Sequence, residues 1–189
     1  MRRRIIWFLP VLAFLIAGCA GSRPTVFLNP EFDFSAIERI AVVPFENLSN
    51  DQGMGEYVTR IFVTELLSKK AFDIIEPGEV SRFILSKGVT KTGEMPVEQI
   101  QEMGKSLNVQ GIIFGTVGES SDLRSGTLSS HVVSLNVRLV SVETGSTVWS
   151  ASVNSGSPGF FSRIFGIGEQ TRGSSVYKAV HKAIHTLVK

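Results

Sequence analysis

His181 and His185 stand four residues apart on what reads as a C-terminal helix, so their imidazoles share one face. Two imidazoles at that spacing can hold a zinc ion. The metalloprotease form of the motif also needs Glu directly after the first His, and Lys182 stands there instead. No third ligand accompanies the pair, so it reads as a polar helix face and no metal is assigned. His131 falls alone at a predicted strand start and receives no role. The glycines do not build a nucleotide site. Gly111, Gly115 and Gly118 lie inside an apolar run, whereas a phosphate cradle needs a Gly-rich turn that opens a helix. Gly166 and Gly168 lack the preceding strand, and no complete Walker A motif (Gly, four residues, Gly-Lys-Ser/Thr) is present. No Gly-x-Ser-x-Gly elbow is present, and the carboxylates are scattered. The expectation is no catalytic residue, no cofactor and no small-molecule substrate.

The elements between these residues follow from periodicity. Arg39 to Phe45 is a continuous apolar run ending at Pro44 and Phe45, which reads as a central strand buried on both faces. Asn47 to Gly55 is polar and reads as a loop. From Met54 to Lys70, Tyr57, Val58, Ile61, Phe62, Glu65 and Leu66 recur at the helical period, with Lys69 and Lys70 at the favourable C-terminal end. Phe72 to Ile75 is a short strand. Pro77 suits the first position of a helix running to about Ser86. Pro96 marks another start, with Ile100, Met103 and Leu107 on the apolar face and Asn108 as a left-handed stop.

Gly111 to Gly118 is again strand-like. Val132 to Val142 alternates, with Val133, Leu135, Val137 and Leu139 on one face and Ser134, Asn136 and Arg138 on a wet one. A turn at Glu143–Ser146 leads to a return strand that buries Trp149, Ala151 and Val153. A last helix from about Ser174 carries Val176, Val180, Ala183, Ile184 and Leu187 in one stripe. The predicted order is β-α-β-α-α-β-β-β-α, an α/β fold with a mixed sheet packed by helices.

The chain has 189 residues, 43% hydrophobic and 19% charged, with a formal charge of +2. This is globular composition for about one domain. It excludes a disordered tail, a collagen-like chain and a strongly basic nucleic-acid binder. Arg2, Arg3 and Arg4 precede an apolar run from Ile5 to Ile16, broken only by Pro10. A helix of that run covers roughly 18 Å, short of a ~30 Å hydrocarbon core, so residues 1–18 read as a signal peptide. Its removal leaves 16 Lys and Arg against 17 acids, a formal charge of −1.

Cys19, the single cysteine of the chain, rules out an internal disulfide or a Cys-cluster metal site. Ile16-Ala17-Gly18-Cys19 resembles the lipobox of bacterial lipoproteins. The resemblance implies that Cys19 becomes the first residue, linked to diacylglycerol and N-acylated. Several acyl chains at ~0.8 kcal/mol per buried CH₂ anchor far better than one. Ala20 rather than Asp after the cysteine implies, for a Gram-negative source, sorting to the outer membrane. The expected layout is signal peptide 1–18, lipidated tether 19–36 and one domain 37–189.

Ser155 to Arg172 does not fit the pattern of a solvated loop. It holds Phe160, Phe161, Ile164, Phe165 and Ile167 among four glycines, with three charged residues. Long loops without structure of their own are usually functional or mobile. Either it folds back on its own core, or these five side chains form an apolar surface for self-association, a protein partner or lipid.

The domain resembles the curli-secretion-channel and LpoB-like (CsgG-like) lipoprotein superfamily. The resemblance rests on Ile40–Asn47 (IAVVPFEN), Thr64–Leu67 (TELL), Phe72–Glu76 (FDIIE), Val109–Val117 (VQGIIFGTV) and Val133–Gly145 (VSLNVRLVSVETG). It implies an anticodon-binding-domain-like fold, no cofactor, and envelope roles as oligomeric curlin export channels or activators of peptidoglycan synthases. The chain departs from the pore-forming branch. Only eleven residues, Ser120–Ser130, separate two predicted strands, and Leu123 and Leu128 are their strong apolar ones. A spanning hairpin needs two strands of ~9–11 residues with lipid-facing alternation. The expected function is a non-enzymatic assembly or regulatory adaptor facing the periplasm from the outer membrane. The alternative is an oligomeric CsgG-like component of a secretion or curli assembly channel.

Overall fold

The structure, a computed structural model, describes residues 23–125, 128–156 and 171–188. Among these residues seven strands form one mixed sheet: β1 (Thr25–Leu28), β2 (Arg39–Val42), β3 (Glu46–Asn47), β4 (Asp73–Ile74), β5 (Gly111–Ser125), β6 (Leu128–Ser141) and β7 (Thr147–Ser155). The spatial order is β1-β7-β6-β5-β2-β4, with β3 continuing beside β5 beyond β2. β2 lies parallel to β4 and β5, whereas β5, β6, β7 and β1 are antiparallel neighbours. Among the described residues four α-helices cover it: α1 (Met54–Lys69), α2 (Pro77–Ser86), α3 (Val97–Leu107) and α4 (Arg172–Leu187). The predicted mixed α/β order is present, with β1 and β3 added.

Two apolar cores flank the sheet. Ile40 and Val42 join Phe62, Leu66, Trp149, Val180 and Ile184 under α1 and α4. Ala41 and Val43, one residue out of phase, join Phe83, Ile100, Met103 and Ile112 under α2 and α3. All four consecutive residues of this stretch are buried, as a strand between two helical layers requires. The β6 alternation holds: Val133, Leu135, Val137 and Leu139 are buried, while Asn136 is exposed. α2 begins with Pro77 at its first turn, and Asn108 closes α3 in the left-handed conformation at φ 51°. Thr171 caps α4 by accepting from the Ser174 N–H. Gly115 sits in β5 where a Cβ would lie 2.5 Å from the Phe45 ring. Its missing side chain makes room for that aromatic.

Two expectations change. Within the segment read as tether, Thr25–Leu28 pairs with β7 as an edge strand, so these residues belong to the sheet. An exposed four-residue strand between Pro24 and Pro30 is too short to show a period. The stretch Ser120–Ser130 is not a loop between two strands. β5 and β6 run through it as one long hairpin, paired out to Ser125 opposite Leu128. Its residues are largely polar, including the buried Ser120 and Ser130, so no apolar face marked them as strand. β7 ends opposite Val133, which faces Ser120, so only Ser121–Ser125 and Leu128–Val132 project past it. Five residues at ~3.4 Å each reach about 17 Å, still short of a ~30 Å hydrocarbon core.

Candidate functional site

At the base of this projecting hairpin four side chains make a continuous chain. Ser120 and Asp122 are two apart on β5 and so share a face, and His131 pairs with Asp122 across the ladder. Ser120 Oγ lies 2.9 Å from His131 Nε2, and His131 Nδ1 lies 2.8 Å from Asp122 Oδ1. These are the distances of a Ser-His-Asp triad. A fourth group redirects the chemistry. Ser120 Oγ donates to Asp51 Oδ2 at 2.9 Å, from the loop before α1. A hydroxyl has one proton and a carboxylate only accepts. In a triad the hydroxyl proton is directed at the histidine, whereas here Asp51 also competes for it, so the four groups tie the hairpin to the loop before α1.

The arrangement therefore acts as a lock. Asp51 is held from its other side by Arg172 at the start of α4, 3.1 Å away. Ser175 of α4 donates to the His131 carbonyl at 2.6 Å. Hairpin, loop and helix are joined at one point, with Ser120, His131 and Ser175 buried. The sequence reading left His131 without a role. Its signal was the Ser120/Asp122 spacing opposite a histidine, which acquires meaning only once the hairpin register is known.

The predicted helix-face pair lies elsewhere. His181 Nδ1 meets Glu65 Oε1 of α1 at 2.9 Å, and Lys69 reaches the same oxygen at 3.5 Å. The bond from His181 is the main reason that the Glu65 carboxyl is held below the ordinary range. Its burial opposes this, and Lys69 assists. Tyr177 stacks on His181, with ring centroids 5.8 Å apart, and His185 follows at 6.2 Å. His181 thus belongs to the seam between α1 and α4, and His185 lies exposed beside it. Among the described residues no group of three or more His, Cys, Asp or Glu could hold a metal ion.

Cys19 and the five apolar candidates Phe160, Phe161, Ile164, Phe165 and Ile167 lie outside the described residues. The two ends of that apolar segment are described, and they meet the lock. Gly156 passes against the His131 carbonyl, and Arg172 pairs with Asp51. No described helix is long and apolar enough to cross a membrane.

No protein-family model matches the chain, and no curated protein is similar to it in sequence. Solved structures are similar in fold. A PelC dodecamer variant from Paraburkholderia phytofirmans superposes with a TM-score of 0.60 at 20% identity, over 87% of this chain and 96% of that one. Lipoprotein GNA1162 from Neisseria meningitidis gives 0.54 at 22% identity, over 64% of this chain and 84% of that one. The LpoB C-terminal domain from Salmonella enterica aligns more loosely, at 0.48 and 12% identity over 77% and 92% of the two chains, too loosely to carry weight. At these identities the likeness establishes a shared mixed α/β fold.

Proposed function

We infer that the chain is a lipid-anchored, non-enzymatic component of a bacterial cell envelope, an adaptor that works through protein contacts from the periplasmic face of the outer membrane. The observation that carries this reading is the placement of Cys19. The lipobox-like Ile16-Ala17-Gly18-Cys19 ends six residues before Thr25 enters the sheet. Six residues fully extended span at most about 20 Å, so acylation at Cys19 holds the domain against the bilayer. Supporting it, GNA1162, of similar fold, is itself described as a lipoprotein. The constellation nearest to catalytic geometry is built as a lock, which favours a binding role over an enzymatic one.

A second reading, a ring-forming oligomer of the CsgG-like channel kind, draws on one observation: PelC, of similar fold, is a dodecamer. The short overhang of the β5–β6 hairpin weighs against a spanning barrel. Sedimentation of the mature chain without its lipid separates the two readings. The adaptor sediments as a single chain at micromolar concentration. A ring many times that mass would replace the adaptor with the oligomeric reading.

A further inference from the structure

One edge of the sheet carries an apolar strip that the described residues leave uncovered. Among them, β1 has β7 on one side and no strand on the other. Its Val26, Phe27 and Leu28 are 42%, 50% and 52% exposed, three large apolar side chains in a row. Val26 and Leu28 lie in register with buried Ala151 and Trp149, so they continue the helix-covered face outward. Phe27, in register with Ser150, points to the other face. A free apolar edge invites pairing and aggregation, and proteins usually blunt one by keeping it very short, as at the four residues of β1, or with Lys, Pro or a bulge inside the strand. None interrupts Thr25–Leu28.

We propose that β1 is a membrane-contact strand: Val26, Phe27 and Leu28 rest in the interfacial region of the phospholipid leaflet that holds the acyl chains of Cys19. The proposal rests on the anchoring reading above. Chain length argues for lipid over another occupant, because Thr25 is tied within about 20 Å of the anchor. The flanking charge agrees. Arg23 is exposed, and no acid occurs between Cys19 and Glu31, as suits a segment beside anionic headgroups. At headgroup depth water still reaches the backbone, so the unpaired N–H and C=O groups of the edge are satisfied there, as they would not be in the hydrocarbon core. The sheet then stands edge-on, with β1 against the lipid and β4 about 24 Å away, five strand spacings at ~4.8 Å.

The test uses the full-length chain, expressed in a Gram-negative host and reconstituted in phosphatidylethanolamine/phosphatidylglycerol vesicles. Phe27→Trp places a reporter indole on β1, and Leu85→Trp a control indole on α2, where Leu85 is 77% exposed. Each is read as the emission added to that of the unaltered chain. Brominated acyl chains should quench the β1 reporter about twofold, because an interfacial segment sits ~5–10 Å into the headgroup boundary. Emission of the α2 control should not change. An acylated chain, verified by mass, whose β1 reporter is not quenched overturns the contact alone. Shielding of the β1 reporter from iodide that grows with protein density, without bromolipid quenching, overturns it in favour of a second copy. A chain without acyl mass overturns the anchoring reading, and the contact with it.

Discussion

Trp149→Ala should cost about 3–5 kcal/mol of folding stability, the range for emptying a large aromatic site in a packed core. Trp149 is fully buried on β7, between the sheet and α4, in the core shared with Phe62, Leu139 and Ile184. Its indole N–H donates to Thr186 Oγ1 at 3.2 Å, so the one polar atom of the ring is satisfied from the helix that covers it. The truncation removes apolar area, leaves a cavity and strands part of the α4 contact. For a domain of this size the melting temperature should fall by roughly 6–20 °C. Leu85→Ala, at an exposed position, should stay within about 0.5 kcal/mol. Thermal and urea unfolding of the two variants check this. A loss below about 1 kcal/mol at Trp149, the scale of an ordinary substitution, would mean that α4 does not close this core.

Gly156→Ala should be nearly as damaging for a different reason. Gly156 has φ +106°, a region that side chains rarely adopt. An added Cβ would lie 1.9 Å from the His131 carbonyl oxygen and 2.7 Å from Val132 Cα. Both obstacles are backbone, so no rotamer change relieves the contact. Strained φ and overpacking each cost about 1–3 kcal/mol, giving roughly 2–6 kcal/mol together. The same carbonyl accepts from Ser175, so the displacement should also loosen the start of α4. Hydrogen exchange of the β6 and α4 amides near His131 and Ser175 reports this directly. Gly78→Ala, with nothing within 4 Å of its Cβ, should instead raise stability by up to about 1 kcal/mol. Equal effects at the two glycines would contradict the packing described around His131.

The parts of the fold that bury apolar stripes were readable from the sequence. The run from Ile40 to Val43, the face of α3 with Ile100 and Met103, and the stripe Val176–Ile184 of α4 each lie where periodicity puts them. The elements that escaped have no apolar buried stripe to mark them. β1 is exposed at all four residues, and the outer half of the β5–β6 hairpin is largely polar. The Asp51–Ser120–His131–Asp122 chain was hidden for a related reason. Its members come from a loop and two strands, and the pairing that unites them depends on a register that polar residues do not specify. His181 and His185 were readable as a spacing. Their surroundings were not, because Glu65 approaches from another helix more than a hundred residues earlier in sequence.

The anchoring claim is tested most directly at Cys19. The chain and its Cys19→Ala variant are expressed in a Gram-negative host with labelled palmitate and fractionated. The account predicts label and outer-membrane recovery for the unaltered chain, with both lost in the variant. Equal soluble recovery of the two, with no label in either, would contradict it.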